Sequence, residues 1–235
     1  MKKFELTNEF ITNMFGTKLF RIRALVEFGD VEAGELGGYV EKESNLGHDD
    51  NAWVCDNAWV YGNARVYGDA QVSGDALVYG NARVYGNAWV YGNALVCGNA
   101  LVYDNAWVYG NALVCGDALV CGNARVCSNA RVYGNALVCG DALVCGNARV
   151  CSDALVCGNA RVCGNGDYAY AHGFGSVNRT TTFFRLKDGG VGVRCGCFYG
   201  TLAQFRDKIR ETHGETKKAQ EYLMLADLMK LRFEK

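Results

Sequence analysis

A six-residue unit, Gly-Asn-Ala-x-Val-y, runs almost unbroken from Asn51 to Cys163 and excludes most folds at once. Ala recurs at every sixth position from Ala52 to Ala160, and Val from Val54 to Val162. A helix is ruled out, because six is not a multiple of about 3.6 and a Gly every turn and a half dismantles it. Within each unit Ala-x-Val-y alternates, so a short strand points Ala and Val to one side and x and y to the other. Gly followed by Asn or Asp then turns the chain, since Gly takes positive φ freely and Asn or Asp tolerates it. One such strand buries almost nothing alone, so copies must stack, valine over valine, in a parallel solenoid.

Slot x sets the number of units per coil, because stacked side chains on one outer face tend to match. Residues 18 apart agree in 8 of 16 pairs, against 5 of 18 at spacing six, 3 of 17 at twelve and 5 of 15 at twenty-four. Three units per turn is therefore expected. One face then carries Leu101, Leu119, Leu137 and Leu155, a second Leu77, Leu95, Leu113, Arg131 and Arg149, and a third Trp89 above Trp107. Residues 110–128 recur unchanged at 134–152, a copy displaced by four units. The expected fold is mainly β: a parallel β-helix of about six 18-residue coils over residues 51–164. Residues 1–50 form an N-terminal β cap with a strand at Leu19–Leu25, and residues 165–235 a small α+β domain. In that domain Thr180–Leu186 and Val191–Phe198 read as a hairpin. Thr201 with Gln204 starts a helix that Gly214 ends, and a second helix runs from about Glu215 to Phe233.

Composition narrows the function classes. The chain holds 0 Pro, 30 Gly and a formal charge of -1, which argues against a surface built to coat nucleic acid or an anionic membrane. No apolar stretch reaches membrane-spanning length, and Glu5 arrives before a signal-peptide core begins, so a cytoplasmic protein is expected. Charge divides as -4 over residues 1–50, -1 over the repeats and +4 over residues 165–235.

The string Val-Tyr-Gly-Asn-Ala-Arg at 60–65 resembles the hexapeptide repeat of left-handed parallel β-helix proteins, a family that includes acyltransferases and a carbonic anhydrase class. Arg21-Ile22-Arg23-Ala24-Leu25, Phe28-Gly29-Asp30-Val31, Gly34 to Glu41 and Gly196 to Thr201 are similar to hexapeptide-repeat proteins of bacteria and of their phages and prophages. The enzyme resemblance implies a catalytic or zinc-binding His on or beside the coils. Here the coils hold none, and His48, His172 and His213 all lie outside them. No catalytic residue, metal or cofactor is therefore assigned. The phage resemblance implies an interaction protein that inhibits bacterial anti-phage defence, by gripping a host protein or sequestering a nucleotide signal. Acetyl transfer and a polymer-forming scaffold are the alternatives.

Two residue sets are candidates for binding. Tyr168, Tyr170, His172, Phe174, Ser176, Asn178, Arg179 and Thr180 mix aromatics and polar donors with Gly173 and Gly175, a combination suited to cradling a phosphate or nucleotide. Outward Trp53, Trp59, Trp89 and Trp107, with Leu101, Leu119, Leu137 and Leu155, form apolar stripes suited to a dimer or trimer. Ten of the 12 Cys occupy slot y, where Tyr appears eight times, so their first expected role is packing; columns such as Cys121, Cys139 and Cys157 are spaced for cross-linking under oxidation. Cys195, Cys197 and His213 make only a weak metal pattern.

Overall fold

The computed structural model describes residues 2–175 and 179–234. Three strands precede the repeats: β1 (Phe4–Thr12), β2 (Lys18–Ala24) and β3 (Leu36–Val40). Each repeat then folds x-Val as a two-residue strand, from β4 (Trp53–Val54) to β22 (Arg161–Val162). Every rung pairs in parallel with the one 18 residues away. Leu77, Leu95, Leu113, Arg131 and Arg149 form one column, Leu101 to Leu155 another, and Trp89 pairs with Trp107 on the third face. Every repeat Val has 0% exposure, and the repeat Ala none above 2%. Each buried Val is worth about 1.5–3 kcal/mol of transfer free energy, and the stack shares that gain along the whole rod.

The turns show why Gly precedes Asn. At Gly110 φ is +70°, and a Cβ there would sit 3.0 Å from the Ser128 nitrogen of the next coil. Asp56, Asp104, Ser128 and Ser152, the departures from Gly, also take positive φ. Asp56 and Asp104 support it by accepting the Gly74 and Gly122 N–H groups one coil on, at 2.9 and 3.2 Å. The adjoining Asn residues form amide ladders: Asn63 donates to Asn81, Asn81 to Asn99, and Asn99 to Asp117. A carboxylate accepts but cannot donate onward, so each Asp closes such a run above an Asn.

The coil-to-coil bonds of slots x and y run one way: their N–H groups donate to the coil that follows, as in Trp53 to Ala70 and Cys55 to Val72. The first coil therefore has no preceding coil to use its Ala and Val carbonyls in this way, and the last has no following coil for its slot x and y N–H groups. The N-terminal cap supplies donors: backbone N–H of Tyr39 to Ala58, Glu41 to Val60 and Gly47 to Val66. Asn45 Nδ2 adds a bond to the Ala64 carbonyl at 2.7 Å, and Lys3 Nζ reaches the Asp50 and Ala52 carbonyls at 2.6 and 2.8 Å. Winding thus begins at β3, within the segment expected to be only a cap, and the rod has about seven turns rather than six. Gly37 makes this possible, since a Cβ there would meet the Val54 carbonyl and the Ile22 side chain, each at 2.5 Å.

The other end is closed by an antiparallel sheet, β23 (Tyr168–Phe174), β24 (Arg179–Arg185), β25 (Val191–Cys195) and β26 (Phe198–Thr201), backed by α1 (Leu202–His213) and α2 (Lys217–Phe233). It supplies acceptors. Thr182 Oγ1 takes the Leu155 N–H at 2.9 Å, Asn165 Oδ1 the Arg149 N–H at 2.9 Å, and Asp167 Oδ2 the N–H groups of Cys163 and Gly164. Tyr168 and Phe184 extend the valine core, whereas Phe183 and Val193 on the opposite face pack with Phe205, Ile209 and Tyr222. The expected hairpin, capping box and both helices are present, but the strand expected over Val191–Phe198 stops at Cys195, where the Gly196–Cys197 turn, with Gly196 at positive φ, folds the chain back as β26.

Candidate functional site

Where the last coils meet the C-terminal domain, a cleft of about 500 Å³ opens between Arg149, Cys151 and Asn165 on the rod side and Tyr168, Tyr170 and Arg232 on the domain side. Its volume is in the range that holds small organic ligands, about 300–1,000 Å³. Arg149 is placed by rung register, one coil above Arg131 on the same face. Arg232, from the last turn of α2, is held by its bond to the Asn165 carbonyl at 3.4 Å. The Tyr170 hydroxyl bonds the Ser152 hydroxyl at 3.0 Å, and the Tyr168 hydroxyl lies 3.7 Å from Cys151 Sγ. The two Tyr rings lie 17° from parallel with centroids 6.5 Å apart. Burial first, then the Cys151 bond, pushes the Tyr168 phenol well above its usual range, so it stays a neutral donor. Among the described residues no carboxylate lines the cleft. Among the described residues neither Arg149 nor Arg131 has an ion pair, so two cations face the cleft and a third stands one coil away.

The structure divides the expected ligand set. Tyr168 and Tyr170 line this cleft. His172 Nδ1 turns to Thr180 Oγ1 at 2.9 Å, and Phe174 is 43% exposed beyond the rod. Arg179 stands on the opposite sheet face, over Gly196, beside a recess of about 230 Å³ lined also by Cys197, Lys208 and His213. It therefore cannot clamp a phosphate held by the tyrosines. The Gly175 N–H is taken by the Glu221 carboxylate at 2.9 Å, which corrects the expected glycine cradle. Ser176 and Asn178 lie outside the described residues. Arg149, Asn165 and Arg232 were not read as site residues; only the change from Leu to Arg in the Leu77–Arg149 column marked one of them.

The apolar stripe also needs correction. Trp53 is buried at 2% exposure, with its ring edge-on to Phe28 at 5.3 Å, because the N-terminal cap folds over it. Trp59 is half-buried beside Tyr39. Trp89 and Trp107 are exposed and stacked at 5.6 Å, and Leu101, Leu119, Leu137 and Leu155 are half-buried in register. In slot y, Tyr stacks fill the early coils, such as Tyr67, Tyr85 and Tyr103, and thiols continue the same columns. Cys121, Cys139 and Cys157 are hydrogen-bonded in series. Accepting from Cys139 lowers the Cys157 thiol, whereas Cys121 is raised. Cys145 and Cys163 are disulfide-bonded.

Among the described residues no group of three or more His, Cys, Asp or Glu is placed to hold a metal ion, and no helix is long and apolar enough to cross a membrane. The model of the YdcK beta solenoid repeat matches residues 58–74, 70–86, 76–92, 82–98, 94–110 and 130–146, together less than half the chain. No curated protein matches it. Repeat match and architecture agree: this is a β-solenoid repeat protein.

Proposed function

We propose that this chain is a non-catalytic binding protein, with the solenoid a rigid carrier and the cleft at its C-terminal end a site for a phosphate-bearing aromatic ligand, a nucleotide. One observation carries the reading: Arg149 and Arg232 converge on a cleft that also holds two tyrosines and, among the described residues, no carboxylate. Guanidinium groups take phosphate oxygens through paired charge-assisted bonds. A tyrosine ring gives a base a stacking surface worth about 1–3 kcal/mol. Acyl transfer has less support, since His172 is turned to Thr180 and His213 stacks on Tyr222. In this reading the phage-like terminal segments make the protein a cytoplasmic sink for a nucleotide signal of bacterial defence.

Calorimetry on the full chain, with mono-, di- and cyclic nucleotides, tests this. Binding should weaken about tenfold or more in Arg149→Ala and in Arg232→Ala, and should weaken with salt. Failure of every nucleotide to bind, or wild-type affinity in both variants, would reject it. A second reading rests on the exposed Trp89–Trp107 pair, which suits a second copy or a protein partner such as a host defence protein.

A further inference from the structure

We propose that Cys127, Cys145 and Cys163 form an internal thiol–disulfide exchange site whose single disulfide occupies either of two adjacent rungs. The three occupy slot y on one corner of three successive coils. Cys127 N–H donates to the Val144 carbonyl at 2.9 Å, and Cys145 N–H to the Val162 carbonyl at 2.8 Å, so the same one-coil translation relates each to the next. Cys145 and Cys163 are bonded across a Cα separation of 4.4 Å, inside the reach of a disulfide. Adjacent parallel strands lie about 4.8 Å apart, so Cys127 stands one such step along the row. Exchange needs the attacking sulfur on the extension of the bond it breaks, and a row of equivalent side chains along the rod axis supplies that line.

Cys127 is buried, and the Tyr109 hydroxyl, one coil below, is hydrogen-bonded to it. In the step, the Cys127 thiol loses its proton to water and its sulfur attacks Cys145 Sγ. The Cys127–Cys145 bond forms, the Cys145–Cys163 bond breaks, and its electron pair leaves on Cys163 Sγ, which takes up a proton. Oxidation level is unchanged, so no oxidant is consumed. The two linkages have different consequences. Cys163 ends the last rung, its N–H is held by Asp167, and Asn165 of the cleft follows two residues later. One linkage ties that end covalently to the coil beneath; the other releases it. This inference does not depend on which ligand the cleft takes.

The test uses the full chain in a buffer of reduced and oxidised glutathione, followed by acid quench, alkylation and tryptic mapping. Cleavage after Arg125, Arg131, Arg149, Arg161 and Arg179 leaves the three cysteines on separate peptides. Both Cys127–Cys145 and Cys145–Cys163 linkages are expected in the native protein. Cys163→Ser should convert the column fully to Cys127–Cys145, and Cys127→Ser should leave only Cys145–Cys163. Absence of the Cys127–Cys145 linkage from the native protein overturns the proposal, whether or not the variants fold. Pairings with cysteines of other columns would also overturn it, since they report exchange in an unfolded chain.

Discussion

The solenoid and the C-terminal domain use opposite strategies. In the rod each inward Ala and Val meets copies of itself in neighbouring coils, so a local environment is repeated and a single flaw is felt along one continuous core. In the domain, Phe183, Phe205 and Tyr222 pack with one another and with Val193, Ile209 and Met229 in a core of unlike side chains. The difference teaches where binding chemistry can arise: regular coils supply position, and the chemistry comes where regularity is interrupted, at Arg131 and Arg149 and at the junction with the sheet.

The comparison can be broken most forcefully inside the rod. Val108→Asp puts an unpaired carboxylate among fully buried valines and should cost about 3–5 kcal/mol. Phe205→Ala removes a comparable amount of packing from the domain, yet the β-sheet circular dichroism of the rod should persist. If both variants lose the same spectral signal at one denaturant concentration, the two regions are a single cooperative unit. Thr182→Val probes the seam. It strands the Leu155 N–H without its acceptor and should lower stability by about 1–3 kcal/mol, read from the denaturation midpoint.

The smallest effect lies at the other end. Burial lowers Lys3 from 10.5 to about 8. Between pH 8 and 10.5 the folded chain has released this proton while the unfolded chain still holds it, so the Lys3 contribution to stability rises with pH. Comparing wild type with Lys3→Met at pH 7.5 and 9.5 isolates it from the tyrosines and thiols, whose raised values pull the other way. An equal change in the two proteins would mean that Lys3 titrates as it does in the unfolded chain.

Legibility followed the same division. Period, coil length, ladder identity and the inward valines could be read from residues alone, because a repeat states its environment many times. Tyr-Ala-Tyr-Ala at 168–171 also carried a strand pattern, yet its aromatics drew attention as ligand contacts, and β23 was not expected. Trp53 was read as outward because slot x faces outward elsewhere, but a first coil has no coil beneath it and the cap folds around it. Arg232 joins Arg149 across 83 residues through tertiary packing alone, and no local pattern announces such a meeting.

Unit-wise winding has a geometric corollary for the way such a chain changes over time. Adding 18 residues lengthens the rod and leaves both end caps facing as before, whereas the 24-residue, four-unit offset between 110–128 and its copy at 134–152 corresponds to one full turn and one third more. Each surplus hexapeptide therefore swings the distal domain by about 120° around the long axis, a stepped dial that reorients the cleft without altering a residue in it.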